Sequence, residues 1–354
     1  MSRFLKPSYQ HLEAYVPGEQ PRDMQYIKLN TNESPFPPAP SVQQVMNADE
    51  VALLRLYSDP TCKTLKSKLA KLYDVQPENI YLSNGSDDIL NFAFMAFGQN
   101  GAVFPDISYG FYKVFGDLHG VDYTQIPLRE DFSVDYKDYC SVNKLVVIAN
   151  PNAPTGMQLP VEQIEKILIS NPDSVVLIDE AYVDFGGESC YPLIGKYENL
   201  LVVRTFSKSR CLAGARLGYA IGSKQLIDDL EKIKYSTNPY NVNRMTLRVG
   251  EATVDAEPYY QDLCREIIRV RESTKKRLEA MGFCVLPSKT NFLFAMCPGK
   301  EGKWLYENLK SKGILVRHFE KPRIHPYVRI TIGSNEQMEQ FLSLINELIQ
   351  EDAT

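Results

Sequence analysis

The chain has 354 residues, 44% of them apolar, with 39 basic against 44 acidic residues and a net charge of −5. At roughly 150 residues per domain this length predicts about two domains. The apolar fraction excludes a disordered chain, and 22 Pro with 20 Gly in no period exclude a collagen-like one. A mildly acidic chain without a basic block is a poor nucleic-acid binder.

Seven cysteines with no CxxC pair, and four scattered histidines (His11, His119, His318, His325), argue against a disulfide framework and against a metal site. The opening MSRFLKPSYQ lacks the apolar run of a signal peptide, and no apolar stretch is long enough to span a membrane. The expected setting is cytoplasmic, with small-molecule rather than membrane or nucleic-acid partners.

Along the chain, residues 1–40 hold Pro7, Pro17, Pro21, Pro35, Pro37, Pro38 and Pro40. Proline removes a donor and clashes with the preceding turn, so this segment is not one helix. Leu12, Tyr15, Val16, Tyr26, Ile27 and Leu29 make it an extended arm expected to pack on something else. Helical spacing follows over 62–73, and a second helix over 86–97, opened by Ser86 and Asp87. Short apolar runs at 144–149, 174–178 and 200–203, with a helical segment near 161–170 between the first two, predict strands of a mostly parallel sheet buried on both faces. Residues 256–281 read as a long amphipathic helix. Beyond it, FCV, NFLFAM, ILVRHF and YVRITIG read as strands, with helices near 302–311 and 335–350, the pattern of a smaller α+β domain.

Ligands bind at strand ends in open α/β sheets. After the first run comes Asn150-Pro151-Asn152-Ala153-Pro154-Thr155-Gly156, after the second Asp179-Glu180-Ala181-Tyr182, and after the third Arg204-Thr205-Phe206-Ser207-Lys208 with Arg216 eight residues beyond the lysine. Each has a plain structural reading as a turn, a cap or a solvated lysine. Together, an amine, a carboxylate and a phenol on adjacent strand ends suit an aromatic aldehyde cofactor. The lysine forms a Schiff base and the carboxylate keeps the ring nitrogen protonated.

S/T-x-x-K with Arg eight residues on, and D-x-x-Y beginning 29 residues upstream of the lysine, resembles the fold-type I pyridoxal-phosphate enzymes of the class I/II aminotransferase superfamily. The resemblance runs from about Leu29 to Gly333. It implies an α/β fold with a large domain, whose mostly parallel central sheet is sandwiched by helices, and a smaller α+β domain. The boundaries expected are 1–40 for the arm, 41–255 for the large domain and 256–354 for the small one. It implies pyridoxal 5'-phosphate as cofactor, Lys208 as the Schiff-base lysine and proton carrier, Asp179 against the pyridinium nitrogen and Tyr182 on the phenolic oxygen. Arg216 and Thr205 take the phosphate, with the turn Gly85-Ser86-Asp87, where amides at a helix start meet an anion. Tyr109 stacks on the ring. Many relatives carry Asn directly before Pro-Thr-Gly; here that residue is Ala153, and Asn152 is expected to take over its contact. A cis bond is expected at Ala153–Pro154.

The segments LEAYVPG at 12–18, LNTNESP at 29–35 and LYSDP at 56–60 resemble those of histidinol-phosphate aminotransferases. This implies glutamate and amino- or keto-phosphate substrates, two half-reactions in ping-pong order and a place in histidine biosynthesis. It also implies a homodimer in which Tyr57 reaches the partner's cofactor phosphate. Arg329 is expected to take the substrate carboxylate, and Tyr15 and Asn32 to shape the substrate end. Arg323 and His325 are weaker candidates for the substrate phosphate. The alternatives on the same scaffold are a threonine-phosphate decarboxylase-like lyase and a broad aromatic aminotransferase.

Overall fold

The structure, a computed structural model, describes residues 2–351. Met1 and residues 352–354, at the outer ends of the expected arm and small domain, lie outside the described residues. The arm is extended, with one short 3-10 turn at Pro7–Tyr9 before strand β1 (Ile27–Lys28). Of its apolar residues named above, only Leu29 is fully buried, and Val16 is 71% exposed. Ile27 packs beside Leu29 against the core, and polar anchors add to this packing. Glu19 accepts hydrogen bonds from Tyr306 and Lys310, and Arg317 donates to the carbonyls of Val16 and Pro17 at 3.2 and 3.3 Å. An extended, proline-interrupted chain offers unpaired carbonyls rather than a continuous apolar face.

Helices α1 (Pro40–Gln44), α2 (Ala48–Ala52) and α3 (Lys63–Tyr73) lead into strand β2 (Ile80–Ser83) and helix α4 (Ser86–Phe97). Next come β3 (Ala102–Pro105), α5 (Phe111–His119), β4 (Tyr123–Ile126), β5 (Leu145–Ala149), α6 (Val161–Ser170), β6 (Val176–Asp179) and β7 (Leu200–Thr205). Strand β8 (Gly218–Gly222) and helices α7 (Lys224–Thr237) and α8 (Arg244–Asp255) close this half. Seven strands form one sheet in the order β2-β8-β7-β6-β5-β3-β4, with β8 antiparallel to both neighbours and the other pairs parallel.

Side chains on a strand alternate between faces, so β5 sends Val146 and Ile148 into one core and Val147 and Ala149 into another. The two cores, on opposite faces, explain why the central runs are apolar throughout rather than alternating. The C-terminal ends of β5, β6 and β7 emerge together. Ala149 pairs with Asp179, and Asp179 with Val203, two residues before Thr205.

Helix α9 (Glu257–Ala280) leads to β9 (Cys284–Val285), β10 (Phe292–Met296), α10 (Gly302–Ser311), β11 (Ile314–Leu315), β12 (Arg317–His318), β13 (Val328–Thr331) and α11 (Asn335–Glu351). Strands β12-β13-β10-β9 form an antiparallel sheet. Its core joins Leu293, Val328 and Ile330 to Ile267 of α9, Leu305 of α10 and Phe341 of α11. Strand β1 pairs parallel with β11, and Thr331 donates its backbone N–H to Leu29 at 2.9 Å. The arm's last residues are thereby fixed beside β13. Among the described residues no helix is long and apolar enough to cross a membrane.

Candidate active site

Asp179 ends β6 between two parallel neighbours, which hides its carboxylate from water. Tyr112 of α5 donates to Oδ2 at 2.8 Å and the Ala181 N–H to Oδ1 at 3.2 Å. Burial outweighs these donors and pushes the carboxyl up to about 6, with Asp87 and Glu180 adding to the rise. Burial and Asp179 together push the Tyr112 phenol well above its ordinary value, so it stays a donor. Among the described residues no cation pairs with Asp179.

Lys208 lies three residues past the end of β7. Its Nζ reaches the carbonyl of Thr31, on the arm, at 3.3 Å and stands 5.8 Å from the centre of the Tyr182 ring. The loop carrying it is pinned from behind. Ser209 donates to Asp184, which also pairs with Arg204, while Arg210 pairs with Glu257 at 2.9 Å.

Helix α4 starts at the same edge. Gly85 precedes it with φ 84°, and a Cβ there would stand 2.6 Å from the Arg216 guanidinium. Gly218 at the start of β8 packs so closely that a Cβ would strike the backbone nitrogen of Ser86. These two glycines bring the helix start, Arg216 and the end of β7 into one cradle. Asp87 accepts from Arg216 at 2.9 Å and from Tyr109 at 2.7 Å.

The resulting pocket, about 100 Å³, is lined among others by Ser86, Tyr109, Asp179, Tyr182, Thr205, Ser207, Lys208 and Arg216. It opens into a groove of about 470 Å³ that reaches Tyr15, Asn32, Arg317, Lys321 and Arg329. Tyr15 stacks on Phe111 with centroids 4.2 Å apart and tilts against Tyr109 at 6.0 Å. Arg329 of β13 donates to the Asn30 carbonyl at 2.9 Å, and its shielded Nε has no partner among the described residues. Burial lowers its pKa.

Asn152 is not brought to this pocket. Its Oδ1 accepts from Ser108 at 2.8 Å, and its Nδ2 donates to the Ile107 carbonyl and to Thr155 Oγ1, both at 3.0 Å. The amide is spent on holding the Ser108–Tyr109 loop, and the methyl of Ala153 lines the pocket instead. The expected substitution of Asn152 for the missing amide is therefore corrected. Ala153–Pro154 is cis, as expected, and so is Asn150–Pro151. Arg323 points elsewhere too, donating to the carbonyls of Leu128 and Arg129, and His325 lies exposed beside Glu301. Tyr57 is far more exposed, at 80%, and stacks on Tyr240 with centroids 4.5 Å apart.

Tyr112, Arg317, Lys321 and the Thr31 carbonyl join the site without a sequence motif that marks them. Tyr112 carries a faint signal, three residues after Tyr109 at helical spacing. Arg317 lies in a strand-like run that by itself suggests no role.

The profile of the aminotransferase class I and II family matches residues 24–345, and the chain belongs to this family. It is 47% identical to a histidinol-phosphate aminotransferase of Brachyspira hyodysenteriae over 353 residues, covering 99% of this chain and 100% of that one. It is 49% identical to the histidinol-phosphate aminotransferase of Marinomonas sp., covering 98% and 100%. The solved histidinol-phosphate aminotransferase from Sinorhizobium meliloti, in complex with pyridoxal-5'-phosphate, shares the fold with a TM-score of 0.88 at 24% identity, over 99% of each chain.

The pocket fits pyridoxal phosphate on its own chemistry. A buried carboxylate without a cation suits a protonated ring nitrogen. A helix start with Gly85, Arg216, Thr205 and Ser207 suits a phosphate. A lysine amine with one weak carbonyl partner suits an aldehyde.

Proposed function

We propose that this chain is a pyridoxal-phosphate-dependent aminotransferase that interconverts L-histidinol phosphate and 2-oxoglutarate with imidazole-acetol phosphate and L-glutamate, a step of histidine biosynthesis. The observation that carries the reading is one pocket holding both the Lys208 amine and the sealed, uncompensated Asp179 carboxylate. The relatives named above support the substrate pair.

When bound, pyridoxal phosphate supplies an aldehyde that accepts an amino group and a ring that takes up the electron pair released at the substrate Cα. With it bound, Lys208 Nζ would provide the covalent attachment and would carry the proton to and from the substrate Cα. Asp179, held by Tyr112 and the Ala181 N–H, would keep the ring nitrogen protonated. Tyr109, its phenol tethered to Asp87, would cover the ring. The Gly85-Ser86 turn, Thr205, Ser207 and Arg216 would hold the phosphate, and Tyr182 would donate to the phenolic oxygen. In the outer groove, Arg329 offers a planar fork to a carboxylate or a phosphate. Arg317 and Lys321 make the groove cationic, which suits two substrates that are both anions. Tyr15 closes its arm side.

The chain acts as a homodimer in which Tyr57 completes the partner's phosphate site. A large aromatic residue left this exposed, beside exposed Val51, Leu54 and Leu56, supports that arrangement.

The test is the absorbance of the protein loaded with pyridoxal phosphate. Glutamate is expected to bleach the cofactor band stoichiometrically, L-histidinol phosphate to do the same, and Lys208→Ala to lack the response. A band that ignores glutamate would move the reaction to a decarboxylase. No band at all would remove Lys208 from its role.

A further inference from the structure

The hydrogen bonds around Asn32 lead from Thr331 to Tyr182. Asn32 is 1% exposed and sits in the left-handed region at φ 57°, a conformation that asparagine tolerates better than most residues. Its backbone N–H donates to Thr331 Oγ1 at 3.0 Å. The Thr331 hydroxyl, already an acceptor there, donates its one proton to Asn32 Oδ1 at 3.0 Å. With Oδ1 turned to that proton, Nδ2 faces the other side. Nδ2 donates to Tyr182 Oη at 2.8 Å. Tyr182 accepts there, and its own proton has no acceptor among the described residues.

We propose that Asn32 is a positioning residue: the chain Thr331–Asn32–Tyr182 forces the Tyr182 hydroxyl to donate into the pocket, toward the cofactor's phenolic oxygen. Asn32 thus restores, through Tyr182, control of an oxygen that Ala153 and the committed Asn152 leave without an amide. Thr331 and Arg329 stand two residues apart on β13, hence on the same face, so the strand that meets the substrate also sets the direction of the Tyr182 proton.

This inference rests on the pyridoxal-phosphate reading of the pocket, and its readout is the pH midpoint of the bound cofactor's absorbance rather than turnover. Tyr182 is faced by Lys208 from the loop after β7, Arg329 from β13, Tyr15 from the arm and Tyr109 from the loop before α5. Asp179 and Asp87 stand across the pocket. None of these changes in the variants, so each midpoint is read against the same background. A donor at the phenolic oxygen favours the form with more negative charge there, so its loss raises the midpoint.

Asn32→Gly keeps the left-handed backbone, removes the amide and adds no charge, so the Tyr182 proton is no longer directed into the pocket. It is expected to raise the midpoint by up to about one pH unit, the size of one charge-assisted hydrogen bond. Thr331→Val, which frees the amide to turn, is expected to raise it by less. Tyr182→Phe is expected to raise it as much as Asn32→Gly or more, and combining the two to add nothing further. An unmoved midpoint in Asn32→Gly, or additive shifts in the double variant, would overturn the proposal even if both proteins fold and bind cofactor. Absence of the cofactor band from the unaltered protein would overturn the pocket reading and this inference with it.

Discussion

Asp179 illustrates how a single residue can cost the empty protein something that the ligand later removes. Its carboxyl is pushed up to about 6 by burial in the absence of any cation, whereas an exposed aspartate titrates near 4. The folded form therefore holds a proton that the unfolded form has already released. Stability from this residue is full below the unfolded value and is lost as pH rises through about 6. A shift of two units is worth about 3 kcal/mol at most. Cofactor-free protein is expected to lose up to about 3 kcal/mol between pH 4 and 7 from this group, and Asp179→Asn to lack that component. Urea unfolding of both proteins across this range checks it. Parallel pH profiles would mean that the carboxylate is already compensated without a ring nitrogen.

At the scale of elements, the cradle depends on how closely β8 approaches the start of α4. Gly218 pairs with Ser83 on one side and Thr205 on the other, and its missing Cβ makes room for the Ser86 amide. The atoms a Cβ would meet, Ser86 N and the Gly85 carbonyl carbon and oxygen, are all backbone, so none gives way cheaply. Gly218→Ala is expected to push the start of α4 away from β8, at about 1–3 kcal/mol. Affinity for pyridoxal phosphate should then fall by about tenfold or more, while the two cores stay intact. Cofactor titration alongside thermal unfolding separates the two effects; unchanged affinity would show that the helix start does not grip the phosphate. These elements also show what the sequence could reveal. The runs at β5, β6 and β7, the α4 and α6 helices and the residues ending the strands were legible, because fully buried strands and amphipathic helices carry their own local pattern. Strand β8 was missed, since GYAIG opens and closes on glycine and reads as punctuation. Edge strand β4, half exposed, has no apolar run to betray it. The hydrogen bonds of the site were hidden for a different reason. Tyr112 and Asp179 lie 67 residues apart and Asn32 and Tyr182 lie 150 apart, and no local spacing encodes such pairs.

For the whole molecule, the site of one chain is proposed to be finished by another, and Tyr57 carries that claim. The residue projects from the segment after α2, where Tyr240 stacks on it, and the loop behind it is firmly held. Ser58 Oγ donates to the Val242 carbonyl at 2.7 Å, and the buried Lys234 donates to the Pro60 carbonyl at 2.7 Å. A rigid base under an exposed ring suits a side chain that must arrive at a fixed place on a partner. Two defective chains can test this. Lys208→Ala lacks the amine but keeps Tyr57, and Tyr57→Ala keeps the amine. In a two-fold dimer each hybrid contains one site with Lys208 from one chain and Tyr57 from the other. Random reassociation of equal amounts makes half the dimers hybrid, with one of two sites whole, so the mixture should recover about a quarter of full activity at limiting cofactor. The measurement is activity before and after unfolding and refolding the two variants together. Recovery above the sum of the separately refolded chains supports a shared site. A mixture no better than that sum would place each site wholly within one chain and leave Tyr57 as a surface residue of the fold.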